Sequence, residues 1–304
     1  VSLLVPDAQG NLADVVLGFD DPNLYVSSGS FLGATVGRNA NRLRDAEFTL
    51  GNKRVSLTPN ENNNNLHSGP DFFKNRLWTL EKEGSSEVTF SLESPNMDQG
   101  FPGDAHIRVT YALDGQGGLH VRYWAKADQD TVFNMTNHSY FNLAGHQHPD
   151  RAVHQVLSMP ARHFTPDDAQ NIPTGALRDV AGSPMDFRVP KPIAQDLNAD
   201  YDALKLQGGY DHNWEVFCNP CATLTDPASG RCLCVYTDCP GIQFYSGNYL
   251  NDQGKDGVYY GRNSGMALET QFYPDCLHNP TWAQPITKAN TVYKSETVYR
   301  FSCK

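Results

Sequence analysis

The feature that most constrains the fold is a succession of short segments in which apolar and polar residues alternate, separated by turn sequences. The clearest example is "HIRVTYALDGQGGLHVRYWAKA" (residues 106–127), whose two alternating halves flank an Asp-Gly pair. Alternation with a period of two is typical of a strand with one buried face, and Asp-Gly between two such runs predicts a hairpin. The pattern recurs at residues 46–57 and 76–94, around Gly-Asn and Gly-Ser-Ser turns.

Helical periodicity is convincing only in "PIAQDLNADYDALKL" (residues 192–206). Many strands separated by turns, in a chain with 25 glycines and 19 prolines, favour an all-β sandwich over alternating βαβ units. The 304 residues contain no repeat, low-complexity tract or linker that would divide them. We therefore expect a single all-β domain spanning residues 1–304.

Composition and charge exclude several classes of function. Apolar residues make up 39% of the chain and charged residues 19%, as in folded globular domains. The formal charge of −10 argues against a nucleic-acid partner, because binding to a phosphate backbone depends on clustered Lys and Arg. No apolar run approaches the roughly 18 residues that a membrane helix needs. We therefore expect neither a nucleic-acid partner nor a membrane span.

The seven cysteines bear on metal binding and on the redox compartment. Four of them form Cys218-x2-Cys221 and Cys232-x-Cys234, and the second pair lacks the spacing of a zinc knuckle. The segment alternates like a hairpin around residues 226–230, which places Cys232 and Cys234 on one face of a strand as small apolar side chains. Disulfides are an alternative, but the odd count favours reduced thiols and a cytoplasmic location.

Residues 134–145, "NMTNHSYFNLAG", can be interpreted in two ways. The two Asn-x-Ser/Thr sequons would be glycosylation sites if the segment were an accessible loop. As a strand, the segment places Thr136, His138, Tyr140 and Asn142 on one face, a mixture of polar and aromatic groups that suits a sugar-binding groove. The alternative is a solvated strand with one satisfied histidine. We favour the groove and expect the sequons to be coincidental.

Further segments contain candidate functional residues. "NNLHSGP" (residues 64–70) places His67 in a loop, and "GGYDHNW" (208–214) combines Asp211 with a histidine and two aromatic residues. "MALETQFYPD" (266–275) places Glu269 in an apolar strand, with Gln271 on the same face. A carboxyl group among apolar neighbours gains proton affinity on desolvation, which suits a general base. The alternative is a glutamate that faces solvent at the end of a strand.

Taken together and in order, these segments resemble one family. The ordered motifs are "GRNANR", "NNLHSG", "FPGD", "TNHSYFNLAG", "IPTG", "GYDHNW", "PGIQFYSGN" and "LETQFYPD". From about Val1 to the C-terminus, the chain resembles the aldose 1-epimerase (galactose mutarotase) family. The resemblance implies a β-supersandwich with its site in an open groove, and neither a metal nor a cofactor. Family members usually have some tens of residues before the position of Val1, so we expect N-terminal strands of the family fold to be missing from this sequence.

The resemblance also implies an activity and residue roles. The expected reaction is interconversion of the α and β anomers of a free hexose, galactose or glucose, by opening and reclosing the ring. Glu269 would be the general base and His138 the general acid, placed on opposite sides of the C1–O5 bond. The residues expected to hold the sugar hydroxyls are Asn41, Arg42, His67, Asp211 and Gln243. We also expect the Glu269 carboxylate to raise the pKa of His138.

Three other functions are weighed against this one. A phosphosugar epimerase would need two or three convergent cations, and only Arg38, Arg42 and Arg44 cluster in the sequence, so neutral sugars are favoured. A glycosidase would use two carboxyl groups across the scissile bond. A non-catalytic sugar-binding module would not need an acid–base pair.

Overall fold

The computed structural model describes residues 1–303. The first half of the chain forms strands β1 (Leu4–Pro6), β2 (Leu12–Asp14), β3 (Ala34–Val36), β4 (Arg42–Leu43), β5 (Glu47–Leu50), β6 (Lys53–Ser56), β7 (Asn65–Leu66), β8 (Thr79–Glu83), β9 (Glu87–Ser94), β10 (Ala105–Leu113), β11 (Gly118–Ala127), β12 (Thr131–Val132), β13 (Thr136–His138) and β14 (Tyr140–Phe141). The second half forms β15 (Val156–Ser158), β16 (His163–Thr165), β17 (Arg178–Asp179), β18 (Lys191–Pro192), β19 (Asp211–Glu215), β20 (Ala222–Thr225), β21 (Arg231–Thr237), β22 (Gly241–Tyr245), β23 (Asp252–Gln253), β24 (Tyr259–Tyr260), β25 (Met266–Gln271), β26 (Ile286–Thr287) and β27 (Val292–Cys303).

The α-helices are α1 (Pro22–Ser27) and α2 (Asp202–Gln207). Short 3-10 turns lie at Arg44–Ala46, Phe73–Asn75, Asp98–Gly100, Pro149–His154, Ile193–Gln195, Lys255–Gly257 and Cys276–His278. Within residues 1–303, none of the helices has both the length and the apolar character needed to cross a bilayer.

The hairpins expected from alternation are confirmed. Strands β5 and β6, β8 and β9, β10 and β11, and β20 and β21 pair antiparallel, each with the next strand in the chain. In the last of these pairs, Cys232 is buried and Cys234 is half-buried. The hydroxyl groups of Thr225 and Thr223 lie against the two sulfur atoms. The alternating cysteines are therefore part of an ordinary strand surface.

The prediction of a helix over residues 192–206 is wrong for most of that segment. A 3-10 turn ends at Gln195, residues 196–198 form a further turn, and the backbone is extended at Tyr201, with φ −130° and ψ 134°, before α2 begins. Tertiary packing overrides the local helical pattern, because the break allows side chains from both short pieces, Ile193 and Leu204, to be buried in the core. Helix α1 was not predicted from the sequence, although it has two N-terminal signals. The Asp21 side chain caps it by accepting from the Asn23 amide, and Pro22 occupies its first position.

Two large antiparallel sheets pack face to face around the main core. One has nine strands in the order β18-β15-β20-β21-β27-β11-β10-β9-β8, and the other six in the order β14-β25-β22-β19-β16-β17. Val235 and Tyr299 from the first sheet share a buried cluster with Phe244 and Leu268 from the second. The Tyr299 hydroxyl also donates to the Leu268 carbonyl across the layers, at 2.9 Å. The predicted all-β sandwich is confirmed.

Candidate active site

A groove of about 600 Å³ lies on the face of the six-stranded sheet that points away from the main core. Its walls come from the paired strands β4 and β7, from β13 and β14, and from segments 29–31 and 249–252. Six of the seven residues predicted from the sequence line the groove: Asn41, Arg42, His67, His138, Asp211 and Glu269. The seventh, Gln243, lies beside them and donates from Nε2 to Asp211 Oδ1 at 2.8 Å.

Strand alternation determines which side chains of the sheet reach the groove. In β25, Leu268 is part of the core and Glu269 therefore points to the opposite face. In β22, Phe244 packs in the core, and its neighbour Gln243 is paired with Glu269 in the ladder. Antiparallel partners lie side by side on one face, so this register places the amide of Gln243 next to the carboxyl group of Glu269.

The antiparallel pair of β4 and β7 positions two residues at its end, Asn41 just before β4 and His67 just after β7. Asn41 and His67 both have left-handed backbones, with φ of 60° and 52°. The His67 amide donates to the Asn41 carbonyl, and the Asn41 amide donates to His67 Nδ1, both at 3.0 Å. Since Nδ1 accepts a hydrogen bond, the neutral imidazole carries its proton on Nε2. Burial holds the pKa of His67 well below its usual range, so the ring is a neutral donor.

Arg42 is held from both sides by carboxylates. Its Nε and Nη2 donate to the two oxygens of Glu61, at 2.6 and 2.9 Å, and its Nη1 lies 3.9 Å from Asp211 Oδ2. The bidentate pair fixes the plane of the guanidinium. Glu61 was missed by the sequence analysis. The available signal was that it is the one charged residue in "NENNNN", the loop that leads to His67.

The predicted acid and base are adjacent and buried. Glu269 is 2% exposed and His138 5% exposed, and Glu269 Oε1 lies 3.5 Å from His138 Nε2. Within residues 1–303, neither Glu269 Oε2 nor His138 Nδ1 has a hydrogen-bond partner. The alternative of a solvent-facing glutamate is therefore wrong. The placement of the two groups on opposite sides of the C1–O5 bond stays a prediction.

The expectation of a raised histidine pKa is corrected by the burial of the pair. Desolvation lowers the pKa of His138 to about 4. Desolvation also raises the pKa of Glu269 well above its ordinary value, and the nearby Asp211 carboxylate adds to this rise. Both shifts follow from removing charged forms from water, which the adjacent opposite charge does not offset. Over the range between these pKa values, the pair shares a single proton, and we describe its titration as that of one unit.

The same residues do not suit a metal ion. His67, His138 and Glu269 offer ligand atoms that lie within 4.8 Å of one another, the one such group found among residues 1–303. A neutral histidine that binds a metal through Nε2 must carry its proton on Nδ1, where it usually donates to a neighbour. In His67 this nitrogen instead accepts from the Asn41 amide. The donor set therefore matches a hydrogen-bonding site better than a metal centre.

The charges around the groove are mainly acidic. Of the three clustered arginines, Arg42 alone lines the groove. Arg38 is fully buried and donates to backbone carbonyls such as that of Ser94, and Arg44 donates to Asp168. Near the groove, burial and the charge of Asp211 raise the pKa of Asp167 to about 8. A phosphate dianion would meet one paired cation and several carboxyl groups here.

The segment at residues 134–145 only partly follows the predicted alternation. His138 and Tyr140 both line the groove, but the strand is interrupted between them at Ser139, whose amide donates to Asn137 Oδ1. Asn142 instead donates to backbone carbonyls away from the groove, and Thr136 is buried without lining it. Both sequon asparagines are buried as well, which rules out their glycosylation in the folded chain.

Aromatic rings complete the walls of the site. Tyr140, Tyr245 and Phe31 all lie around His138, with ring centroids 5.0, 6.4 and 5.8 Å from its own. Tyr140 was identified as a groove residue, whereas Tyr245 and Phe31 were not. Tyr245 occurs within "PGIQFYSGN" two residues after Gln243, so strand alternation could have found it. No sequence signal identifies Phe31.

Similarity to known proteins extends over nearly the whole chain. The family model of aldose 1-epimerase matches residues 1–300. A galactose mutarotase from Bos taurus is 41% identical over 99% of this chain and 87% of its own length, and an aldose 1-epimerase from Escherichia coli (strain K12) is 36% identical over 99% and 88%. The crystal structure of an aldose epimerase homologue from C. elegans superposes with a TM-score of 0.92 at 30% identity, covering 100% of this chain and 92% of the other. The chain belongs to the aldose 1-epimerase family.

Proposed function

We propose that this protein interconverts the α and β anomers of free neutral hexoses, with galactose and glucose as substrates. Membership of the family makes the activity that of an isomerase acting on sugar anomers. The observation that carries the proposal is the buried Glu269–His138 pair, 3.5 Å apart, in a groove lined by hydrogen-bonding side chains. Mutarotation requires one group that takes a proton and one that gives a proton, and this pair supplies both.

The adjacency of the pair suits the atoms that react. The anomeric oxygen O1 and the ring oxygen O5 are bonded to the same carbon, so their catalytic partners must also be neighbours. We assign the reaction to the ion-pair form of the one-proton pair, in which Glu269 is ionised and His138 is protonated. From this form, Glu269 removes the proton from O1 and His138 donates its proton to O5. The C1–O5 bond then breaks, the aldehyde rotates about the C1–C2 bond, and the two groups act in reverse to close the other anomer. Proton count and charge balance at each step, and the enzyme ends in its starting state.

We assign the remaining predicted residues to sugar binding. The neutral Nε2–H of His67 and the guanidinium of Arg42 are donors, while Asp211 supplies acceptor oxygens. Gln243 is oriented by its bond to Asp211, and its Oε1 has no hydrogen-bond partner among the described residues. Asn41 is tied to His67 through the backbone and its Oδ1 accepts from the Arg42 amide at 2.8 Å. Such a set of alternating donors and acceptors is suited to the hydroxyl groups of a neutral sugar.

Two related functions are less well supported. The single paired arginine and the surrounding carboxyl groups disfavour a phosphosugar substrate, as described above. A binding module without catalysis would have no use for two buried titratable groups, whose burial costs stability.

We further infer that residues 1–304 act as one domain, since both sheets contribute to the same core. We place the protein in the cytoplasm, because its odd number of cysteines, seven, favours reduced thiols.

Polarimetry of freshly dissolved α-galactose tests the function directly. We expect the optical rotation to reach equilibrium faster with the protein than without it, in proportion to enzyme concentration. Relaxation at the uncatalysed rate would refute the enzymatic activity. Calorimetric detection of galactose binding in that case would identify a binding module instead.

The pH dependence of kcat/KM tests the state of the catalytic pair. Activity requires that the pair hold one proton. On the acid side it gains a second proton near the lowered pKa of His138, about 4, and on the alkaline side it loses its proton above the ordinary range of a carboxyl group. We therefore expect a plateau that begins at about pH 5 and extends above the ordinary range of a carboxyl group, after subtraction of the uncatalysed rate at each pH. An alkaline limb near about 4.3, the ordinary pKa of a glutamate, would contradict the assignment.

A further inference from the structure

The wall of the groove opposite the sheet contains a residue in an unusual backbone conformation. Phe31 has φ of 57°, in the left-handed region that a bulky side chain rarely adopts. Such a backbone conformation is energetically unfavourable. It persists only where contacts with the surrounding structure stabilise it, as is often found at functional sites. Here the Phe31 carbonyl accepts from the Ala34 amide at 3.0 Å, and the Gly33 amide donates to the His138 carbonyl at 3.1 Å. The segment is thereby attached to the strand that carries the catalytic histidine.

The Phe31 ring packs on both imidazoles of the groove. Its centroid lies 4.9 Å from that of His67 and 5.8 Å from that of His138. Its edge contact with Phe72, at 5.0 Å, supports it on the outer side. The ring therefore occupies a fixed place between the two histidines and a second aromatic side chain.

Residues 28–31, which we call the strap, are anchored at both ends of the groove wall. Ser28 and Ser30 donate from their hydroxyl groups to Asp252, on the facing wall. The Lys74 ammonium donates to three carbonyls at the end of α1 and the start of the strap: Tyr25, Val26 and Ser28. The same ammonium lies 5.3 Å from the centre of the Phe31 ring. These contacts restrain the strap and offset the backbone strain at Phe31.

The groups that face His138 come from four other elements. They are Glu269 on β25, Tyr140 on β14, Tyr245 on β22 and His67 after β7. Lys74 lies behind Phe31. Of the four rings around His138, that of Phe31 alone has no polar atom. The other rings can hydrogen-bond to water or to a sugar, whereas Phe31 can only exclude water and restrict the plane of the imidazole.

We propose that Phe31 is a positioning residue that holds the His138 ring in its catalytic orientation and shields it from water. The proposal rests on the proposed function, in that it assumes that His138 transfers the proton. Phe31 does not itself exchange protons with the sugar. Because burial lowers the pKa of His138, loss of the shielding ring is expected to return that pKa towards its ordinary value.

The test compares Phe31→Leu with Phe31→Tyr. In sugar-free protein, NMR titration of the His138 imidazole protons should show a higher midpoint in Phe31→Leu and an unchanged one in Phe31→Tyr, which keeps the ring. The acid limb of kcat/KM should move with this midpoint. We expect kcat to fall by about 3- to 10-fold in Phe31→Leu, the size of one aromatic contact, with a smaller change in KM. If Phe31→Leu does not fold, Phe31→Met replaces it.

Phe72→Leu is the matched control, since Phe72 contacts Phe31 and not His138. It removes the same volume from the same aromatic group and should leave the titration midpoint unchanged. An unshifted midpoint in Phe31→Leu, or equal shifts in Phe31→Leu and Phe72→Leu, would overturn the proposal. Since the NMR titration needs no turnover, it separates failure of this proposal from failure of the proposed activity.

Discussion

Replacement of Glu269 by glutamine is expected to slow the interconversion of galactose anomers by about 10²- to 10⁴-fold. The amide keeps the shape of the carboxyl group but cannot accept the proton of the anomeric hydroxyl. In addition, His138 would lose the partner with which it shares a proton across 3.5 Å. Saturation kinetics by polarimetry measure the effect, which we expect mainly in kcat because the sugar-binding side chains are unchanged.

The stability of the Glu269→Gln variant distinguishes lost chemistry from lost structure. The pKa of Glu269 is raised in the folded protein, so its stabilising contribution is present below the carboxyl pKa of the unfolded chain and is lost as pH rises through the folded pKa. Glutamine does not ionise. We therefore expect the variant to have a Tm at least equal to that of the wild type, with an advantage that grows as pH rises.

Asp226→Asn is the control for Glu269→Gln. Asp226 is also buried, but it accepts from the Ser229 amide at the β20–β21 turn, away from the groove. Its replacement should leave kcat near that of the wild type in protein that has folded. Full activity in Glu269→Gln would remove this residue from the mechanism.

Replacement of His138 by asparagine is expected to cause a second large loss, again about 10²- to 10⁴-fold in kcat. Asparagine can donate a hydrogen bond to the ring oxygen but cannot transfer a proton to it. Galactose should still bind, since Arg42, Asp211 and His67 remain in place. Titration calorimetry measures the binding and polarimetry the rate.

The matched control is His146→Asn. His146 is buried like His138, but its Nδ1 is paired with the Tyr260 hydroxyl at 2.9 Å, outside the groove. If His138→Asn retained the wild-type rate and pH profile, another group would have to donate the proton. His67 would then be the candidate, with its Nε2–H facing the same side of the groove.

Local patterns in the sequence were enough to predict most of the strand structure. The hairpins at residues 46–57, 76–94 and 106–127 depend on alternation and turn residues that lie within a few positions of one another. The segment at residues 192–206 was predicted wrongly because burial of Ile193 and Leu204, a tertiary effect, breaks the helix that the local pattern favours. A pattern confined to one segment cannot report which distant surface that segment will cover.

The ordered motifs also determined, without the structure, which family the chain belongs to and which residues to examine. Alternation was sufficient to place Glu269 on one face of an apolar strand. Only the tertiary structure decided that this face is buried, that His138 lies 3.5 Å away, and that Glu61 and Phe31 belong to the site. The tertiary structure also determined the pKa values of Glu269 and His138. The charge of a neighbour, which is visible in a motif, predicted a raised pKa for His138, whereas desolvation, which depends on everything packed around the ring, lowers it.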